Sequence, residues 1–98
     1  MRLEFHPEAE QEFVESVSRY EAEVPGLGER FDAEVQKASA LLLEYPEIGP
    51  PVEGELRKLV LDRFPYYLIY SRSSETVHIV AVAHERRKPG YWLERIDR

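Results

Sequence analysis

A chain of 98 residues with 43% hydrophobic and 33% charged side chains can bury one core but not two, and it is too apolar to stay disordered. The absence of cysteine excludes disulfides, a thiolate nucleophile and a cysteine metal site, and the opening MRLEFHPEAE lacks the apolar core of a signal peptide. The net charge of −6 is uneven: residues 1–56 hold 4 Lys and Arg against 14 Asp and Glu, a balance of −10, while residues 57–98 hold 9 against 5, a balance of +4. These bounds predict a single domain over 1–98, cytoplasmic and without a membrane span. The split charge predicts a basic working face on an acidic scaffold or a half matched to a charged partner, unless the charges merely segregate with secondary structure.

Leu3 and Phe5 alternate with Glu4 as in a short half-buried strand, and Pro7 ends it. Proline suits the first turn of a helix, and Glu8, Glu10 and Glu12 suit the positive end of its dipole. Ala9, Phe13, Val17, Tyr20 and Val24 then draw one apolar stripe on a helix that must end before Pro25. Beyond Pro25-Gly26 the same stepping recurs in Leu27, Phe31, Val35, Ala38 and Leu42, a second helix ending near Tyr45. Gly49-Pro50-Pro51 reads as a loop.

From Glu55 the period becomes two. Arg57, Leu59, Leu61 and Arg63 form one row; Phe64, Tyr66, Leu68 and Tyr70 a second; Val77, Ile79, Ala81 and Ala83 a third. The connections at Asp62–Pro65 and Ser71–Glu75 are too short for parallel crossovers, so these three strands form an antiparallel meander. The predicted fold is α+β: an N-terminal strand, an antiparallel helical hairpin and a three-stranded meander in one small sheet, with the helices on one face.

No phosphate-binding glycine loop, helical histidine pair or serine elbow is present, and His6, His78 and His84 are too dispersed for a metal site. Neither metal nor cofactor is predicted. Glu8 and Glu12 read as dipole partners of the first helix. The informative feature is a set of cations. Arg57 and Arg63 share one side of a strand, with Lys58 on the other, while the last strand delivers His84, Arg86 and Arg87 as it ends. Pro89-Gly90 can turn Tyr91 and Trp92 back towards the sheet, placing all of these on one margin as contacts for a target or an inhibitor. A metal-independent nuclease would need such a set, with arginines for phosphorane charge and His84 or Tyr91 for proton transfer. The plainer reading makes Arg86, Arg87 and Lys88 a solvated run, Trp92 a clamp on the tail, and at least two of Tyr66, Tyr67 and Tyr70 packing residues.

The segments LRKLVLDRFPYYLIY from Leu56 and VHIVAVAHERRKPGYW from Val77 resemble the RelE/ParE superfamily of toxins from bacterial type II toxin-antitoxin modules. The resemblance covers almost the whole chain and implies the same fold. It further implies a cytoplasmic toxin neutralised by a cognate antitoxin, ParD-like or related, that wraps it. Two branches differ in target: RelE-like members cut mRNA on the ribosome, and ParE-like members are associated with inhibition of DNA gyrase. For a nuclease the resemblance implies Arg57, Arg63, His84, Arg86 or Arg87, and Tyr91 as site residues. FPYYLIY and HERRKPGYW look more like ParE, and a sequence pI near 5.1 suits a ribosome-bound nuclease poorly. The expectation is therefore a gyrase inhibitor acting by binding, with an mRNA interferase, or a decayed toxin that only binds its antitoxin, as alternatives.

Overall fold

The structure, a computed structural model, describes residues 1–96. Its elements are β1 (Arg2–Phe5), α1 (Pro7–Glu23), α2 (Leu27–Glu44), β2 (Pro51–Glu53), β3 (Leu56–Val60), β4 (Tyr66–Arg72), β5 (Thr76–His84) and a closing 3-10 turn, Tyr91–Arg95. One sheet runs in the order β1-β5-β4-β3-β2, antiparallel throughout except for β1, which lies parallel to β5.

Local chemistry sets the helix ends. The His6 side chain accepts the Glu8 N–H at 3.1 Å and starts α1, with Pro7 in the first turn. The chain then turns through Gly26, whose φ of 87° is easy only for glycine. The Glu21 carboxylate accepts the N–H groups of Gly26 at 2.9 Å and Gly28 at 3.0 Å, capping α2 from the preceding helix. A Cβ on Gly28 would lie 2.6 Å from the Val17 carbonyl, so the hairpin closes only around a glycine. Phe31, Val35, Ala38 and Leu42 are buried against Leu68, Tyr70, Val77 and Ile79, as their spacing predicts. Val24 instead caps α1 and is exposed.

Three details differ from the sequence reading. The proline-rich loop contains a fourth antiparallel strand, β2, paired with the start of β3; Pro51 is tolerated because this is the sheet edge. Strand β3 stops at Val60, and Arg63 adopts a φ of 67°, which removes it from the row it was expected to share with Arg57. The third difference bears on function. Ile69 pairs with Ala81 but Tyr70 with Ile79, so Val80 is an extra residue in β5. This bulge resets the alternation. Val77 and Ile79 face the helices, whereas Ala81 and Ala83, expected beside them, lie in the opposite core with Tyr67, Ile69 and Trp92. Val82 joins the helix side, and the His84 ring follows it to 5.0 Å from the ring of Tyr66.

Candidate functional site

The basic residues occupy one end of the sheet and the corner beside it. Glu85 N–H donates to the Pro65 carbonyl at 2.9 Å, joining the turn that carries Arg63 to the one that carries Arg86 and Arg87. His84 Nδ1 accepts the Arg86 N–H at 3.0 Å and fixes the first residues of that turn. Arg63, Arg86 and Lys88 are exposed, and none forms an ion pair among the described residues.

Arg87, Tyr91 and the C-terminal turn are held differently. β1 ends opposite Ile79, leaving the outer edge of β5 without a strand beyond it. Glu12 of α1 fills part of that gap by accepting the Val82 N–H at 3.0 Å, and Arg95 donates to the Val80 carbonyl at 3.1 Å. The two side chains also pair with each other through two contacts of 2.8 Å, and Arg95 Nε reaches Glu8 at 3.1 Å. Glu12 further accepts the Tyr91 hydroxyl at 2.7 Å and an Arg87 N–H at 3.1 Å, while the Arg87 guanidinium lies 3.6 Å from the Tyr91 ring centroid. The side chains of Arg95 and Glu12 are 7% and 13% exposed, so this is a largely desolvated network whose charges need one another.

The titration behaviour follows. Burial alone would raise the Glu12 pKa, but donors from Arg95, Tyr91 and Val82 outweigh it and hold the carboxylate below its usual range. Burial, and the bond to Glu12, push the Tyr91 phenol well above the ordinary tyrosine value. The bond to Glu12 likewise raises Arg95. Tyr91 is thus a committed proton donor to Glu12, the opposite of a poised general base.

The structure therefore brings together His84, Arg63, Arg86, Arg87 and Tyr91 but corrects the expectation that Arg57 and Trp92 share their margin. Arg57 pairs with Tyr70 at the far end of β3, and its guanidinium donates to the carbonyls of Gly49 at 2.8 Å and Glu47 at 3.2 Å. It clamps the loop before β2. Trp92 is 6% exposed and packs on the helix-free face, its ring centroid 5.8 Å from that of Tyr67. Tyr66, Tyr67 and Tyr70 are all buried. Lys58, on the opposite side from Arg57, places its ammonium 4.3 Å from the Tyr67 ring centroid. Sequence reasoning missed Glu12 and Arg95. The available signal was the helical spacing of Glu12, Ser16 and Arg19, a polar stripe bordering the apolar one. Among the described residues no cluster of three His, Asp or Glu could hold a metal ion, and no helix is long and apolar enough to cross a membrane.

Two helices packed on one face of an antiparallel sheet with a parallel N-terminal strand define a RelE/ParE-type α+β domain. A solved structure of the chromosomal ParDE TA system from P. aeruginosa shares this fold, with a TM-score of 0.75 over 86% of this chain and 95% of that one at 16% identity. The family of ParE toxins of the type II toxin-antitoxin system parDE matches residues 3–89, and the chain belongs to that family. No curated protein matches it.

Proposed function

We propose that this protein is the toxin of a type II module, held inactive in the cytoplasm by a cognate ParD-like antitoxin, and that it inhibits DNA gyrase by binding rather than by cutting RNA. The observation that carries this reading is the Glu12 network. Tyr91, the residue best matched to proton transfer in an RNA-cleaving relative, has its phenol engaged by Glu12 and its pKa raised. Arg87 is drawn into the same network. A cleavage centre built on Tyr91 and Arg87 would need that phenol free to exchange its proton and that guanidinium free to meet phosphorane charge.

The contacts are assigned to the exposed end of the sheet, with Arg63 and Arg86 touching the target or antitoxin and Arg87 at their border. Tyr91 and Trp92 hold the corner beside this surface in shape, whereas Arg57 braces the opposite end of the sheet. An antitoxin segment covering this end should bring acidic and apolar residues. The test is expression of the chain with and without the product of the neighbouring antitoxin gene, followed by gyrase supercoiling and ribosome-bound mRNA cleavage assays on the purified protein. The expected result is growth arrest relieved by the antitoxin, loss of supercoiling and intact mRNA. Cleavage abolished by Tyr91→Phe or Arg63→Ala would establish the interferase alternative, and absence of any growth effect would establish a decayed toxin.

A further inference from the structure

A second polar site lies on the helix side of the sheet, between α1 and the end of β5. It is a cleft of about 360 Å³ with Ser16, Arg19, Tyr66, His84 and Arg87 in its lining, together with the carboxylates of Glu12 and Glu15. The bulge at Val80 creates it by turning His84 towards α1. Its floor is unusually polar for the depth: Ser16 is 5% exposed and Tyr66 3%, and their hydroxyls lie 2.9 Å apart.

The hydrogen-bond inventory of this cleft is unbalanced. Arg19 Nη2 donates to the Tyr66 hydroxyl oxygen, although Glu15 and Glu23 stand one turn away on either side. Arg19 forms no ion pair among the described residues. The Ser16–Tyr66 contact uses one of two hydroxyl protons, which leaves the other as a donor. His84 Nδ1 already accepts the Arg86 N–H, so the neutral ring carries its proton on Nε2 and is a further donor. Arg87 adds a half-exposed guanidinium that keeps further N–H donors beside the one held by Glu12. Of the two carboxylates in the lining, both Glu12 oxygens are occupied by Val82, Arg87, Tyr91 and Arg95, and Glu15 forms no ion pair with Arg19 among the described residues, so neither carboxylate takes up the remaining donors.

We propose that this cleft binds a phosphate group on a small molecule. Its donors come from α1, from β4 and from β5 with the turn after it, so they surround a ligand instead of meeting it in one plane. That arrangement suits a tetrahedral oxyanion better than a carboxylate fork. The space exceeds what a bare phosphate fills and leaves room for a small substituent. A nucleic-acid strand is disfavoured, because α1 presents Glu8, Glu10 and Glu15 alongside. The cleft shares His84 and Arg87 with the basic end of the sheet, while Ser16, Arg19 and Tyr66 belong to it alone.

The test is isothermal titration of the full chain with inorganic phosphate and, separately, adenosine monophosphate, at constant ionic strength in chloride. Saturable binding is expected, weakened about tenfold or more by Arg19→Gln and by Arg87→Gln, each of which removes a charge-assisted donor from a different wall. Glu15→Gln should tighten it by removing repulsion at the rim. Saturation should also move the His84 Nε2–H resonance in the unmutated protein, a readout that requires no variant to fold. Tighter binding of the nucleotide would assign the phosphate to a nucleotide, and equal binding would assign it to the free ion. No saturable heat with either probe, or equal affinity in all variants with a stationary His84 signal, overturns the proposal.

Discussion

Arg86 and Arg95 lie nine residues apart in the same basic segment, yet they belong to different regimes. Arg86 stands on an exposed turn with no ion pair among the described residues, whereas Arg95 is nearly buried and bound to Glu8, Glu12 and the Val80 carbonyl. The difference is supplied from more than seventy residues upstream, by the face of α1. A run of positive charge is therefore two things here: a free surface where α1 does not reach, and a structural brace where it does. The uneven charge of the two halves of the chain is partly spent inside the molecule.

Removing the brace should produce the largest effect. Arg95→Ala leaves the Glu12 carboxylate buried without its main partner, and breaking such a pair costs about 3–5 kcal/mol; chemical denaturation of purified variant and parent measures it. Loss of less than about 1 kcal/mol, the range of exposed pairs, would show that the corner is wetter than its burial indicates. Acid titration gives the next effect. The folded-state pKa of Glu12 lies below its unfolded value, so its contribution is complete above about pH 4.3 and declines as pH falls through the folded pKa. Denaturation midpoints of the parent should therefore fall more steeply below that pH than those of Glu12→Gln, whose stability is lower from the outset but lacks this titration. Parallel acid limbs would refute the assignment. The smallest effect on stability belongs to Arg86→Ala, within about 0.5 kcal/mol as for other surface changes. Growth inhibition or antitoxin affinity should nevertheless weaken. A variant that is destabilised, or one that is unaltered in both assays, would erase the contrast between the two arginines.

Much of the fold could be read from the chain because the signals were local and redundant. Pro7 and Pro25-Gly26 bracket α1, and the stripes of both helices end in the core as their spacing requires. Period two located β3, β4 and β5 for the same reason. The bulge was hidden because TVHIVAVAH is apolar on both faces after His78, and alternation carries no information where both sides are buried. β2 was hidden by its prolines, which an edge strand accepts. The site was legible in composition but not in arrangement. Glu8, Glu10 and Glu12 look alike in sequence, and only the third points at the open edge of β5. Arg57 looked like a surface cation because nothing local announces that its partners are the carbonyls of Glu47 and Gly49.

The pairing of Glu12 with Arg95 also sets an order of events during synthesis. Glu12 lies in the first helix, and the arginine that neutralises it follows 83 residues later. Until then the carboxylate has no buried partner, the outer edge of β5 has no cover, and the helix side and the helix-free side of the sheet are not yet joined at this corner. A domain built this way completes this corner only once Arg95 has been made, so a chain cut short before Arg95 would be released with its first helix unmatched to its last strand.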